Sequence, residues 1–93
     1  MRVTVELGFS FKKDLDGGYR ELELPDGADV ESAVRSLATR YPAIRTRLLD
    51  EAGEVRRHIA ALVNGGNAAW KDGLRTALRD GDRLTLLPPV GGG

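Results

Sequence analysis

The chain has no cysteine. That excludes disulfides, thiolate metal sites, iron–sulfur ligation and a thiol nucleophile together. Histidine occurs once, at His58, with no cysteine and no evident Ser or Asp partner, so a catalytic triad is not expected. Neither charge is in excess: 14 Lys plus Arg stand against 14 Asp plus Glu. A nucleic-acid footprint or an anionic-membrane footprint would need a basic surplus, so neither partner is expected. No apolar run approaches the roughly 20 residues of a membrane span, and no apolar leader opens the sequence. The expectation is a cytoplasmic protein. With 93 residues, one domain is expected, with one core and no room for a deep enclosed active site.

What is present is strongly patterned. Val3, Val5, Leu7, Phe9 and Phe11 alternate with Arg2, Thr4, Glu6, Gly8 and Ser10, which predicts a half-buried strand. After the turn residues Asp14–Gly18, Leu22 and Leu24 alternate with Glu21 and Glu23 and predict a second strand of a hairpin. Asp29 is placed to cap a helix. Val30, Ala33, Val34, Leu37, Ala38 and Tyr41 follow at helical spacing and form one apolar face. Pro42 ends it, and a shorter helical stretch is expected to hold Ile44, Leu48 and Leu49.

A third strand is predicted over His58–Asn64, with Ile59, Ala61 and Val63 on one face and Leu62 on the other. Asn64-Gly65-Gly66-Asn67 turns the chain. Ala68–Lys71 reads as a short edge strand, with Trp70 as an edge or core anchor. Asp80-Gly81-Asp82 is a tight turn into a last strand, Arg83–Leu87. Asp80 and Asp82 lack the further ligands of a calcium loop, so they are read as turn chemistry and no metal site is assigned. The order β-β-α-β-(β)-β predicts an α+β fold: a mixed four- to five-stranded sheet with one main helix across one face.

The end of the sequence carries no such pattern. Pro88 and Pro89 stiffen the exit from the last strand, because each fixes φ and lacks an N–H. Val90 follows, then Gly91, Gly92 and Gly93. Glycines without Cβ can enter a slot too narrow for any side chain and present the α-carboxylate there.

From Leu78 to Gly93 the sequence resembles the closing pattern of the ubiquitin-like sulfur carriers of the MoaD/ThiS group. The shared features are a "DGD" turn, an apolar strand, "PPV", one variable residue (here Gly91) and a terminal Gly-Gly. The element order and Val63-Asn64-Gly65 extend the resemblance over the full length. The longer stretch around Gly73–Ala77 looks more like the carrier of cysteine synthesis and the archaeal small modifiers.

The resemblance implies a β-grasp fold over residues 1–87 and a flexible tail over 88–93. It implies a carrier or co-substrate with no bound cofactor, not an enzyme. Gly93 would be the reacting residue, activated as an acyl-adenylate by a MoeB/ThiF-like adenylyltransferase that uses ATP. A sulfur donor would convert the adenylate to a thiocarboxylate. The sulfur would pass to an acceptor such as the large subunit of molybdopterin synthase, a cysteine synthase or a thiazole-forming enzyme. Extended, residues 88–93 reach at most about 20 Å at ~3.3–3.6 Å per residue. Ordering such a tail costs ~1–2 kcal/mol per residue, which docking of the domain must offset. Leu62 and Leu87, on the strand faces turned away from the core, are the expected docking residues. Pro89, Val90, Gly91 and Gly92 would enter the partner. Two other readings stay open: a protein modifier joined through Gly93 to lysines, and a β-grasp interaction module with an inert tail.

Overall fold

The structure, a computed structural model, describes residues 1–15 and 17–88. Five strands form one sheet: β1 (Arg2–Leu7), β2 (Tyr19–Glu23), β3 (Ala60–Val63), β4 (Gly66–Asn67) and β5 (Arg83–Leu87), in the spatial order β2-β1-β5-β3-β4. β1 pairs antiparallel with β2 and parallel with β5, while β3 pairs antiparallel with β5 and β4. Helix α1 (Val30–Arg40) supplies the crossover that a parallel β1–β5 pairing demands. A shorter helix, α2 (Pro42–Leu48), packs beside it. This is the β-grasp architecture.

Sequence chemistry explains the helix bounds. The Asp29 carboxylate accepts from the Ser32 N–H at 2.9 Å, and the Ser32 hydroxyl completes a reciprocal capping box. Such a cap stabilises a helix by about 1 kcal/mol. Pro42 both ends α1 and starts α2, where its missing N–H is one of the first-turn donors that lack an intrahelical partner anyway. The buried face of α1 is Val30, Ala33, Val34, Leu37 and Ala38. It meets Val3, Val5 and Leu22 from β1 and β2 and Leu84 and Leu86 from β5 in one core. Ile44, Leu48 and Leu49 are buried in the same core.

Three expectations need correction. The first strand ends at Leu7, not Phe11. Gly8 closes it, Phe9 turns to φ +50°, and Phe9–Lys13 winds into a 3-10 turn that buries Phe11 and exposes Phe9. The third strand pairs only over Ala60–Val63, so it begins two residues later and ends one residue earlier than predicted. Ala68–Trp70 is a 3-10 turn, not an edge strand. The Asn67 side chain accepts from the Ala69 N–H at 2.9 Å and turns the backbone out of the sheet. Ala68 is thereby buried, while Trp70 is 88% exposed and anchors nothing.

The two turns at the start of β5 are one hydrogen-bonded unit. Asn64 and Gly65, at φ +50° and +87°, make the tight β3–β4 turn that such residues favour. The Asn64 side-chain amide donates to Asp82 Oδ1 and its carbonyl accepts from the Arg83 N–H, both at 2.9 Å. Asp82 Oδ2 accepts from the Arg79 N–H, and Asp80 accepts from the Arg2 N–H at 2.7 Å. Asp80 and Asp82 thus fix the register of β5 from its start, and the tail leaves from its other end.

Candidate functional site

The end of β5 is where the fold meets the C-terminal segment. The last pair of the β3–β5 ladder is Ala60 with Leu87, preceded by Ala61 with Leu86 and Leu62 with Thr85. Because successive side chains alternate, Leu84 and Leu86 are fully buried under α1, and Leu87 is turned to the open face of the sheet. Leu62 shares that open face. It lies diagonal to Leu87 across the ladder, within the ~7–8 Å over which such neighbours act together. Both are half-buried. Ala61 and Val63, on the other face of β3, and Ile59 just before it pack against the core.

The open face is divided in character. Its β1–β2 side is polar, with Arg2 paired to Glu23 at 3.1 Å and Arg83 paired to Glu6. Its β3–β5 side turns apolar toward the end of β5, with Leu62, Ala60 and Leu87 following Arg83 and Thr85. The apolar strip therefore runs to the root of the tail. Pro88 is buried beside it. The other residues read from the sequence as the reactive and partner-binding end, Pro89, Val90, Gly91, Gly92 and Gly93, lie outside the described residues.

The sequence did not single out Gly8, yet the structure places it in this strip. Its N–H donates to the Leu86 carbonyl at 3.0 Å. A Cβ built on Gly8 would sit 2.3 Å from Leu87 Cδ2. Its backbone, at φ −104° and ψ 164°, suits any residue, so a side chain here would have to displace the end of Leu87. Leu87 leans into the space that the missing side chain leaves. The only sequence signal is a small residue where the strand alternation demands a polar one.

Elsewhere the described residues offer little chemistry. Among the described residues no cluster of His, Asp and Glu side chains could hold a metal ion. A cleft of about 490 Å³ lies between α1 and residues 55–61, with Val30, Val34, Ile59 and Ala61 on its walls and Arg57 and His58 at its rim. Its walls are aliphatic, and His58 is exposed. Among the described residues one side chain has a displaced pKa. Arg35 is raised further above its usual range, chiefly by its hydrogen bond to Glu31 at 2.8 Å. It also donates to the Gly53 carbonyl at 2.7 Å and to Glu54, so it ties α1 to the loop after α2 and serves the fold. No described helix is long and apolar enough to cross a membrane.

Comparison with known proteins agrees with this picture. The ThiS family model matches residues 9–93. Small archaeal modifier protein 3 of Haloferax volcanii is 43% identical over 68 residues, 73% of each chain. The sulfur carrier protein CysO of Mycobacterium tuberculosis is 32% identical over 95 aligned positions, spanning all of both chains. Among solved structures, SAMP1 of Haloferax volcanii superposes with a TM-score of 0.87 at 29% identity, covering all of both chains. A chain of the Amycolatopsis orientalis BexX/CysO complex superposes with a TM-score of 0.71 at 33% identity, covering 98% of this chain and 99% of that one. These relatives are sulfur carriers and small modifiers, not catalysts. With a β-grasp sheet, a tail rooted at the end of β5 and a family match that runs through its last glycine, the chain belongs to the ThiS family of ubiquitin-like proteins.

Proposed function

We propose that this protein is a sulfur carrier that reacts at the carboxylate of Gly93. One carboxylate oxygen attacks the α-phosphorus of ATP on a MoeB/ThiF-like adenylyltransferase, and pyrophosphate leaves. The acyl carbon of the adenylate then takes a sulfur atom from a sulfide-level donor and releases AMP. The product is a thiocarboxylate, whose sulfur is nucleophilic and passes to an acceptor enzyme. ATP belongs to the activating partner, and the carrier holds no cofactor of its own. The observation that carries this reading is a single one: the ThiS family match, which runs through Gly93 in a chain without cysteine.

The end-to-end similarity to the sulfur carrier protein CysO supports the carrier reading. Delivery requires a second protein. The BexX/CysO complex, solved with a relative of this chain, supports a docked assembly for that step. In such an assembly Leu62 and Leu87 contact the partner. Pro89, Val90, Gly91 and Gly92 lead Gly93 into its site.

A second reading draws on the similarity to small archaeal modifier protein 3. A lysine amine would attack the same adenylate carbon and release AMP, leaving an isopeptide bond at Gly93. Incubation with the activating enzyme, ATP and a sulfur donor separates the two. The carrier gains the mass of one sulfur in place of one oxygen and forms no higher-mass species in denaturing gels. The modifier forms such species, and they vanish when Gly93 is deleted. If neither product forms, both readings fail and the inert-tail module stands.

A further inference from the structure

We propose that Phe9 is an additional apolar anchor for the enzyme that takes up the C-terminal segment. This inference rests on the carrier or modifier reading, since both need an activating enzyme to dock at the root of the tail. Phe9 is 69% exposed, and its backbone sits at φ +50°, in the left-handed region that bulky side chains avoid. The fold gains little from either feature. Phe11, two residues on, is 1% exposed, fills the core and lies under the Arg47 guanidinium at 5.0 Å. Phe9 is neither in the core nor packed against it. Strained backbone that persists without a folding benefit points to use elsewhere.

Position supplies the use. The Gly8 N–H is bonded to the Leu86 carbonyl, so the start of this turn is fastened beside the last residues of β5. Leu87 occupies the space over Gly8, which places Leu87 in contact with the residue that precedes Phe9. Phe9 is thereby held by its backbone one residue from the contact between Gly8 and Leu87, at the tail root. Interface hot spots are enriched in such large aromatic anchors, and water exclusion around them matters most where the reacting end enters. The partner surface that fits is an apolar shelf beside the entrance of a narrow channel, on the adenylyltransferase.

The test uses full-length Phe9→Ala, Phe9→Gly and Phe9→Tyr, with pyrophosphate release by the cognate MoeB/ThiF-like adenylyltransferase as the readout and Gly93 deletion as the control. Phe9→Ala and Phe9→Gly are expected to raise the KM for the carrier about tenfold with kcat unchanged, as truncation of a central aromatic does. Phe9→Tyr is expected to keep the wild-type KM. Phe9→Gly should also melt about 4 °C higher than the wild type, because glycine adopts the left-handed conformation without penalty. A wild-type KM in both truncations overturns the inference, and so does a loss that Phe9→Tyr shares. If Gly93 deletion leaves pyrophosphate release intact, it is the underlying carrier or modifier reading that fails instead.

Discussion

Adding one alanine after Gly93 is expected to abolish activation by the adenylyltransferase while leaving the melting temperature unchanged. The extension moves the terminal carboxylate by one Cα–Cα step, 3.8 Å, and adds a Cβ. Attack on phosphorus needs the reacting atoms within about 3–3.5 Å, and a misplacement of 1 Å already costs on the order of 100-fold in rate. The loss should therefore exceed about 100-fold, approaching the assay floor. Replacing Gly92 by leucine should act the same way through width instead of length. The fold is unaffected because β5 ends at Leu87 and the core is closed by Leu84 and Leu86. Pyrophosphate release and a thermal melt, measured on the same samples, check both halves. Wild-type adenylation of the extended chain would falsify the terminal-carboxylate account.

Neighbouring residues in β5 give the second large contrast. Leu86 has no exposed surface and packs under α1. Leu86→Ala should destabilise the domain by about 2–5 kcal/mol, the range for truncating a buried leucine. For a domain of this size, whose total stability is about 5–14 kcal/mol, that lowers the melting temperature by about 10 °C or more. Leu87 faces the other way, half-buried on the open face over Gly8. Leu87→Asp should cost clearly less stability than Leu86→Ala, about 1–2 kcal/mol, because Leu87 is only half-buried. It should nevertheless weaken docking by about 2 kcal/mol, or roughly 30-fold in Kd, because it sets a charge in a desolvated apolar contact. Calorimetric titration of the adenylyltransferase with each folded variant reads docking, and a melt reads stability. Tight binding by Leu87→Asp would remove the open face from the account.

How much of this was legible beforehand depends on the range of the interaction. Helix α1 and strand β5 were readable because their signals are local: the 3.6-residue apolar spacing from Val30, the Asp29 cap, and the alternation Leu84-Thr85-Leu86. That alternation also assigned Leu87 to the open face. The end of β1 was misread because Phe9 and Phe11 continue the period of two while the backbone has already turned at Gly8. A 3-10 turn can bury Phe11 just as a strand would, so periodicity alone does not distinguish them. Trp70 was misjudged because a side-chain cap from Asn67 outweighed the strand preference of an aromatic. The link from Asn64 to Asp82 and the seat of Leu87 over Gly8 join residues far apart in sequence. Only the folded sheet brings them together. The family was the reverse case, written in the order of the C-terminal residues and needing no packing to be read.

The central claim is that sulfur rides on the carbonyl carbon of Gly93. The most direct measurement is mass spectrometry of the C-terminal fragment, after incubation with the adenylyltransferase, ATP and a sulfur donor. The account predicts a fragment in which one oxygen is replaced by sulfur, with the replacement localised to Gly93 and reversed by alkaline hydrolysis. An unmodified C-terminal fragment, or sulfur found on any other residue, would contradict it.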